Sequence, residues 1–403
     1  MLPISFLHGT RVLLIGNYVP APLAAYLLRA MGAEVVKVES DHGDYLRQIG
    51  KIGDDPNTAM SPMFRTLNGG FKSIALQTKI DQGAAILREL ISQADILIDG
   101  SRKGALERTL GGSPESIAPH IIYVSLTAYG LTGPLSHLAG HDNNILALGG
   151  NLSYTETTAD GLPATFSAPV ADIFAGQSAA FAAASALLGR KAGNTAPIRI
   201  DASMLHAGFF LNLLEVSERN DPHWQVPQPG KAWMNGGRAD YRTYPTSDGK
   251  AIFFGLLEPW ALERFLKGIQ RPDLIPFIGK QNELKEALSA IFATKPQSEW
   301  VQIGTQLDAC ISPVNDIDKA IHEPQIAELG LVQELNDPRL GKLELPTLPF
   351  GFGETSQQPR LPQTAPLLGE HTAAVLQDWL GWDQDRILNT LKAGIASQNP
   401  QTT

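Results

Sequence analysis

The stretch that decides the fold runs from residue 11 to residue 38 and begins with the apolar run Arg11-Val12-Leu13-Leu14-Ile15. A run of this length and composition is typical of a strand buried in a parallel sheet. Helix-forming residues follow from Pro22 to Met31, Gly32 ends that helix, and Ala33-Glu34-Val35-Val36-Lys37-Val38 predicts the next strand. Together they form a βαβ unit, which occurs most often in proteins that bind a nucleotide-like ligand.

The same alternation continues along the first half of the chain and predicts a mixed α/β fold. Further strands are predicted at Ser73–Leu76, Asp95–Ile98, Ile121–Ser125 and Ile198–Asp201, and helices at Lys79–Gln93 and Ala171–Arg190. No Gly-x-Gly-x-x-Gly pattern follows the first strand, where the chain has Gly16-Asn17-Tyr18-Val19-Pro20 instead. A dinucleotide-dependent dehydrogenase is therefore disfavoured.

The bulk composition narrows the class of protein. With 403 residues, 43% of them apolar and 18% charged, the chain is expected to form a packed core, and its length favours two domains. The net charge of −9 is spread along the sequence without a basic block, so a nucleic acid is not an expected partner. A small anionic ligand remains compatible with this charge, because local arginines and helix N-termini bind anions.

The sequence features that bear on cellular location favour the cytoplasm. Cys310 is the single cysteine, which excludes an internal disulfide, and we expect it to be a buried, inert thiol. The N-terminal residues lack the pattern of a signal peptide. The most apolar stretch, Ser178 to Leu188, is expected to be too short and too rich in alanine to span a bilayer. We therefore predict a cytoplasmic protein without a membrane partner.

Changes in periodicity divide the chain into domains. Residues 144 to 166 are rich in Gly, Ser, Thr and Asn and predict a loop. Prolines and glycines crowd residues 217 to 235, where we place a domain boundary, and a hairpin is predicted within Tyr241 to Leu257. Prolines then mark a linker, and a pair of helices is predicted within Glu370 to Gly394. The predicted domains are residues 1–225, 226–330 and 331–403, the last returning to the first.

Two residues stand out as candidate acid/base groups. His141, within Gly140-His141-Asp142, and Asp172, at the start of a predicted helix, place an imidazole and a carboxylate beside flexible backbone. An enzyme that needs two opposed acid/base groups could use such a pair. Each also has a common structural alternative, because a His-Asp dipeptide is typically a surface turn or loop cap, and an aspartate that opens a helix is typically its N-cap.

Several segments, taken in order, resemble the family III CoA-transferases and, within that superfamily, the α-methylacyl-CoA racemases. Two of them are similar to the racemase branch: the run from Gly140 to Asn144 with Ala147 to Gly150, and Leu256-Leu257-Glu258-Pro259. The resemblance covers nearly the whole chain. The other segments are Gly9–Leu13, Met31–Glu39, Leu126–Gly130 with Gly133-Pro134, Pro169–Gly176, Asp201–Met204 and Gly369–Thr372.

The resemblance implies an architecture and an assembly. It implies a large Rossmann-like domain built from both ends of the chain, with a smaller α+β domain inserted between them. It also implies an interlocked homodimer whose active site lies where the two subunits meet. No cofactor is expected beyond the coenzyme A carried by an acyl-CoA substrate, and no metal is expected.

The resemblance also implies roles for three residues in racemisation next to a thioester. His141 and Asp172 would be the bases on opposite faces of the substrate carbon, and Glu258 would hydrogen-bond His141. Preorganised donors would stabilise the enolate oxygen. The dipole of the helix that Asp172 opens is expected to keep that carboxylate ionised. Glu258 could equally do no more than start a helix, with Pro259 at its first position.

Two other functions remain open at this level. In the transferase branch the residue matching Asp172 is a nucleophile that forms an acyl anhydride and then an aspartyl-CoA thioester. His141 and Glu258 distinguish this alternative from racemisation. The third possibility is a CoA-binding protein without turnover.

Contacts to coenzyme A are predicted in the first domain. The candidates are basic residues, which can pair with phosphates, and polar groups of the turn before the third strand. The chain departs from the family pattern at Ser40, where an arginine is common, and at Phe71-Lys72, where two basic residues are usual. His206, His322 and His371 are expected to be structural. The candidate CoA-binding residues are Arg47, Asn68, Lys72, Arg102 and Asp142.

Overall fold

The computed structural model describes residues 5–52, 60–226, 228–353 and 364–399. Its strands are β1 (Arg11–Ile15), β2 (Glu34–Glu39), β3 (Lys72–Leu76), β4 (Ile96–Asp99), β5 (Ile122–Ser125), β6 (Ile198–Asp201), β7 (Tyr241–Pro245), β8 (Ala251–Gly255), β9 (Ile311–Pro313), β10 (Val332–Asp337), β11 (Gly341–Pro346) and β12 (Ala396–Ser397).

Helices alternate with these strands in the first half of the chain. Three further short segments, Tyr45–Arg47, Asn151–Tyr154 and Pro272–Phe277, are 3₁₀ turns. The helices are α1 (Pro20–Ala30), α2 (Pro62–Leu67), α3 (Asp81–Ser92), α4 (Ala105–Leu110), α5 (Pro114–Ile117), α6 (Asp142–Leu148), α7 (Val170–Lys191), α8 (Met204–Phe210), α9 (Leu213–Glu218), α10 (Pro259–Gly268), α11 (Gln281–Phe292), α12 (Gln297–Gln306), α13 (Ile317–Ala320), α14 (Pro324–Glu328), α15 (Thr372–Leu380) and α16 (Gln384–Lys392).

A seven-stranded sheet organises the first half of the chain. Its strand order is β12-β3-β2-β1-β4-β5-β6, with β1 to β6 parallel and β12 antiparallel to β3. β1 lies between β2 and β4, so the chain builds the sheet outward on one side, returns, and then continues on the other side. Such a reversal leaves a crevice at the carboxyl ends of the two central strands, where ligands bind in open α/β sheets. The predicted α/β class with a parallel sheet is confirmed.

The central strands are apolar because both faces of the sheet are covered. Val12, Leu13 and Leu14 of β1 are fully buried, as expected when helices pack on each side. On one face, α1 and α7 lie so close that a Cβ atom added to Gly176 would be 2.7 Å from the Pro20 carbonyl oxygen. A glycine at this position lets the two helices approach, and the approach fixes the start of α7 beside the crevice.

The chain divides into two compact units. The first contains residues 1–149, 168–211 and 324–403, and the second contains residues 150–167 and 212–323. In the second unit an antiparallel sheet, β7-β8-β9, packs with helices α10 to α12 around Phe254, Phe265 and Phe292. The hairpin predicted between Tyr241 and Leu257 is confirmed as β7 and β8. The predicted domain limits, at 225/226 and 330/331, do not coincide with these unit limits and stay a prediction about folding domains.

Some local predictions are confirmed and others are wrong. The two C-terminal helices, joined at Gly381, are observed as α15 and α16. The predicted loop from residue 144 contains most of α6 instead, because Ile145 and Leu146 are buried. Cys310 is exposed, since it directly precedes β9 and the neighbouring Ile311 takes the inward position. Part of the predicted proline-rich linker, residues 354–363, lies outside the described residues.

The helix predicted at Ala171–Arg190 is confirmed as α7, which is one residue longer at each end. It has 22 residues and, within the described part of the chain, is long and apolar enough to cross a membrane by length and composition alone. The prediction that this stretch is too short is therefore wrong. Alanines along one side of α7, including Ala171, Ala175 and Ala179, are buried in the first unit, and core helices of globular proteins satisfy the same criterion.

Candidate active site

A cavity of about 460 Å³ opens at the carboxyl edge of the sheet in the first unit. It lies where β1, β4 and β5 end, which is the crevice expected from the strand order. His141 and Asp172 both line it, although 30 residues separate them in the sequence. The other lining residues are Asn17, Tyr18, Pro20, Ala21, Gly100, Ser101, Arg102, Lys103, Leu126, Thr127, Ala128, Ser136, Leu138, Ala139, Gly140 and Met204.

Two glycines shape the inner wall of this cavity. Gly16 follows β1, and Gly100 follows β4. A Cβ atom on Gly100 would lie 2.9 Å from the Ala21 Cβ and 3.3 Å from the Gly16 Cα, and neither distance can be reached without a shift. The loop that lacks a dinucleotide fingerprint therefore still needs glycine, because two strand ends and α1 meet there.

Asp172 lies in the first turn of α7 with its carboxylate at the cavity. The Oδ1 atom is buried and has no hydrogen-bond partner among the described residues. Burial, followed by the negative charge of Asp142, raises the pKa of Asp172 to about 7. The prediction that the helix dipole keeps this carboxylate ionised is therefore wrong, because burial and Asp142 outweigh the dipole and the pKa lies near neutral pH.

Asp142 occupies the first N–H groups of α7, so these groups do not stabilise a negative charge on Asp172. Its Oδ2 atom accepts the backbone N–H groups of Ala171, at 2.7 Å, and of Asp172, at 3.0 Å. The first donors of α7 are thus used by a neighbouring carboxylate, which acts as the cap that Pro169 cannot provide. The side chain of Asp142 is turned toward α7, and its predicted contact with coenzyme A stays a prediction.

His141 lies at the N-cap position of α6, with an exposed side chain. Its backbone N–H donates to the Asn144 side chain at 3.0 Å, and its carbonyl accepts the N–H of Asn144 at 2.9 Å. The ring of Tyr18 meets the imidazole edge-on, with 5.7 Å between the ring centroids and 77° between the planes. The structural alternative of a helix cap and the position at the cavity therefore coexist at this residue.

Arg102 and Lys103 supply positive charge to the same cavity. Both are exposed and follow β4, and the Lys103 ammonium donates to the Ser136 hydroxyl at 3.2 Å. No ion pair holds the Arg102 guanidinium within the described ranges. Of the predicted CoA-binding residues, Arg102 is thus the one whose charge is available at the cavity that contains His141 and Asp172.

The structure places Arg47 and Asn68 in a buried polar cluster. The Arg47 guanidinium donates to both carboxylate oxygens of Glu39, at 2.9 and 2.6 Å, and Lys37 donates to Asp44 at 2.6 Å and to Asn68 at 3.0 Å. Burial alone would raise the pKa of Glu39, but Arg47 and Lys37 outweigh it and hold that pKa at about 2. A phosphate would have to displace Glu39, so this placement favours a structural role for Arg47.

Lys72 lies at the opposite edge of the sheet from the candidate site. It begins β3, beside the starts of β1 and β2, and lines a separate cavity of about 680 Å³. Its ammonium pairs with Glu34 at 2.7 Å and with Asp378 at 3.4 Å. Burial lowers the pKa of Lys72, but these carboxylates outweigh it and the net shift is upward. Lys72 therefore does not share a cavity with His141.

Glu258 belongs to the second unit. It is exposed and occupies the N-cap position of α10, with Pro259 as the first helical residue. Its carbonyl accepts the backbone N–H groups of Ala261 and Leu262 at 3.0 and 3.1 Å. The structural alternative, a helix start, is therefore observed. Its predicted hydrogen bond to His141 stays a prediction.

The other notable histidines contact backbone or serine. Nδ1 of His206 lies 2.8 Å from the Ser203 hydroxyl, which caps α8, and Nδ1 of His371 accepts the Ser73 N–H at 3.3 Å. In the described part of the chain, no group of three or more histidine, cysteine or carboxylate side chains is arranged to hold a metal ion.

Sequence reasoning missed two features of the site. It did not find Tyr18 as a ring neighbour of His141, because the loop Gly16-Asn17-Tyr18 was considered only for its lack of a dinucleotide-binding pattern. It also did not find the capping of α7 by Asp142. The second had a signal in the sequence: the N-cap residue Pro169 and the next residues, Val170 and Ala171, offer no side chain able to cap α7, so its first N–H groups need an acceptor from elsewhere.

Comparisons with known proteins identify the family of the chain. Human alpha-methylacyl-CoA racemase is 29% identical over 394 residues, which cover 94% of this chain and 95% of that protein. Mouse succinyl-CoA:glutarate CoA-transferase is 30% identical over 409 residues, covering 98% and 91%. A solved Mycobacterium tuberculosis structure, 25% identical, covers 92% of this chain and 99% of its own with a TM-score of 0.79. The family model for CoA-transferase family III matches residues 7–372, and the chain belongs to that family.

Proposed function

We propose that this protein is a racemase of 2-methylacyl-CoA thioesters. The observation that carries the proposal is that His141 and Asp172 line one cavity, while burial and Asp142 raise the pKa of Asp172 to about 7. Racemisation needs one group that removes a proton and another that returns one, so the two must hold opposite protonation states. A carboxyl group that titrates near neutral pH, opposite an imidazole, satisfies this requirement.

The reaction proceeds through an enolate. One of the two groups takes the proton from the carbon next to the thioester carbonyl, and the other delivers a proton to the opposite face. The Asn17 amide and the Thr127 hydroxyl are polar groups on the cavity lining that can donate to the enolate oxygen. Arg102 and Lys103 bind the phosphates of coenzyme A, which is part of the substrate, and no other cofactor takes part.

A transferase is the second candidate, because Asp172 also has the properties of a nucleophile. Its Oδ1 atom is buried without a hydrogen-bond partner among the described residues, and part of the population is ionised at neutral pH. Attack of the Asp172 carboxylate on the thioester carbonyl would give an aspartyl anhydride and release CoA thiolate. The thiolate would then attack the aspartyl carbonyl of the anhydride, which expels the donor carboxylate and leaves an aspartyl-CoA thioester. The acceptor carboxylate would repeat these two steps in reverse, which releases the new acyl-CoA and restores Asp172. Named relatives include transferases as well as racemases.

Solvent exchange separates the two reactions. The protein is incubated in D2O with one stereoisomer of a 2-methylacyl-CoA and no acceptor acid. Racemisation predicts deuterium at the α-carbon, seen by mass spectrometry, together with loss of stereochemical purity. Absence of exchange, combined with transfer of CoA once a free carboxylic acid is added, would reject racemisation in favour of the transferase.

Alanine variants give a second test of the same point. In a racemase, His141→Ala and Asp172→Ala each abolish exchange on one face, and both lose at least about 100-fold in rate. In a transferase, Asp172→Ala is inactive whereas His141→Ala keeps most of its activity. His137→Ala is the matched control, because His137 is exposed, lies four positions from His141 and is not part of the cavity lining.

The proposed active form is a homodimer. On α7, the side chains of Phe181 and Leu188 are 76% and 71% exposed, which is unusual for large apolar residues on one helix and suits a face covered by a second copy. Sedimentation equilibrium is expected to give twice the 43.4 kDa chain mass, and Phe181→Glu to shift it toward the monomer. Lys191→Glu, at the exposed end of the same helix, is the control and should remain dimeric.

A further inference from the structure

The ring of Tyr18 contacts the ring of His141. The two rings meet edge-on at 5.7 Å between centroids and 77° between planes, and both residues line the candidate cavity. Aromatic rings favour this arrangement because the positive edge of one faces the negative face of the other. The imidazole is exposed, so few other contacts restrict its rotation.

The backbone of Tyr18 is held in a conformation that tyrosine rarely adopts. Its φ of 62° lies in the left-handed region, where glycine is favoured and a bulky residue is a true outlier. In the described ranges the other non-glycine residues with positive φ are Gln270 and Asp308, in loops of the second unit. A turn that served only to connect β1 to α1 would be easier to form with glycine or asparagine at this position.

The buried polar cluster fixes this strained residue. The Tyr18 N–H donates to Asp44 Oδ1 at 3.3 Å, and Asp44 is itself fully buried and bonded to the Lys37 ammonium at 2.6 Å. The Tyr18 ring also packs against Tyr45, with 5.8 Å between centroids. The surroundings therefore determine where the Tyr18 ring lies, and strain that persists in this way is typical of functional sites.

From this geometry we infer that Tyr18 is a positioning residue for His141: its ring, anchored through Asp44, holds the imidazole plane so that a ring nitrogen faces the cavity. The expected effect of Tyr18 on catalysis rests on the proposed function. The ring contact itself does not depend on the proposed function, because it is present whichever reaction the protein catalyses. Tyr18 itself moves no proton in this scheme.

Three variants test the inference. Tyr18→Gly removes the ring, and the fold is expected to tolerate it because glycine adopts a φ of 62° without strain. Tyr18→Phe keeps the ring and loses only the hydroxyl. Gln270→Gly is the matched control, because it puts glycine at a φ of 59° in a loop of the second unit, away from the Tyr18 ring, and it should keep the native constants. Each variant is measured for kcat and KM in α-proton exchange.

The expected result is a fall in kcat with binding preserved. Misorientation of a catalytic group lowers the chemical step by about 10-fold or more, so Tyr18→Gly should lose kcat to that extent while KM stays within about twofold. Tyr18→Phe should remain within about twofold in both constants. A change in KM alone, or an equal loss of kcat in Tyr18→Phe, would overturn the inference in favour of a direct substrate contact.

A measurement without turnover separates this inference from the proposed function. The His141 ring resonance in an NMR spectrum of the free protein is shifted by the Tyr18 ring, and His141→Ala assigns it. Tyr18→Gly should move that resonance toward the value of an exposed histidine, whereas Tyr18→Phe should retain the shift. If the resonance is the same in all three proteins, Tyr18 does not position His141, whichever reaction the protein catalyses.

Discussion

The Asp142 carboxylate accepts the backbone N–H of Asp172 at 3.0 Å. One aspartate therefore occupies the end of the helix on which the other aspartate stands. The hydrogen bonds that would stabilise negative charge at Asp172 go to Asp142 instead, and the charge of Asp142 adds to the effect of burial. This relationship makes Asp172 able to carry a proton at neutral pH, and four predictions test it and its surroundings.

Asp142→Asn should lower the pKa of Asp172. The amide oxygen can accept the same two N–H groups, so α7 stays capped while the negative charge is removed. The inflection assigned to Asp172 in the pH profile of α-proton exchange should move to lower pH, and only burial should still hold it above the ordinary value. An inflection that stays near pH 7 would contradict the assigned electrostatic effect. Asp142→Ala, which also loses the cap, should unfold more easily by about 1 to 2 kcal/mol.

Asp172→Asn should change how stability depends on pH. The folded pKa of about 7 lies above the unfolded value of about 3.9, so the folded state binds the extra proton between those values. The free energy of unfolding of the native sequence therefore falls as pH rises through this window, and the loss is complete above pH 7. Asp172→Asn removes that loss. The free energy of unfolding of this variant, minus that of the native sequence, should therefore be at least about 1 kcal/mol larger at pH 8 than at pH 5.

Urea unfolding of both proteins at the two pH values measures this difference. Burial lowers the pKa of His371, which gives the opposite trend in part of the same window. Subtracting the native curve from the Asp172→Asn curve cancels that contribution, because His371 is present in both. A difference in unfolding free energy between the two proteins that is equal at pH 5 and pH 8 would mean that Asp172 is ionised throughout.

Two glycines in α7 should respond to alanine with opposite signs. A Cβ atom on Gly176 would lie 2.7 Å from the Pro20 carbonyl oxygen and 3.1 Å from the Leu23 Cβ, whereas one on Gly189 meets nothing within 4 Å. Gly176→Ala should therefore destabilise the protein by about 1 to 3 kcal/mol, and Gly189→Ala should stabilise it by about 0.5 to 1 kcal/mol. Thermal unfolding checks both, and a Gly176→Ala protein as stable as Gly189→Ala would contradict the packing of α1 on α7.

Arg102→Ala should weaken binding of the substrate, and Lys72→Ala should not. Arg102 lines the cavity of His141, while Lys72 lies at the other edge of the sheet in ion pairs with Glu34 and Asp378. Loss of a hydrogen bond to a charged group corresponds to an increase of about 10-fold or more in KM for the Arg102 variant. Lys72→Ala should stay within about twofold. Equal effects of the two variants would place coenzyme A differently from this proposal.

Much of the architecture could be read from local sequence. The run Arg11–Ile15 is observed as β1 with the predicted bounds, because the centre of a strand covered on both faces must be apolar. Ile198–Asp201 is also observed with the predicted bounds, as β6 at the edge of the sheet, where Arg199 is exposed. α6 was missed because it is seven residues long and polar at its start, so its pattern resembles a loop. Cys310 was misplaced because alternation in β9 depends on which face the second unit covers.

The candidate site residues also divide into those that the sequence indicates and those that only the structure distinguishes. Asp172 and His141 could be chosen from motifs, and Arg102 from its charge. Local sequence does not distinguish Arg102 from Arg47, since both are arginines in short polar segments. The difference arises because Glu39, eight positions before Arg47, is buried against it, while Arg102 faces an open cavity.

The sequence by itself determined the α/β class, the positions of the central strands along the chain and the residue types available for acid/base chemistry, because these depend on local periodicity and on motifs. Tertiary structure decided that Asp142 caps the helix of Asp172, that Tyr18 faces His141 and that Lys72 lies away from both. Such relationships join residues far apart in the chain. The pKa of a carboxyl group depends on the burial and charge around it, and these exist only once the chain has folded.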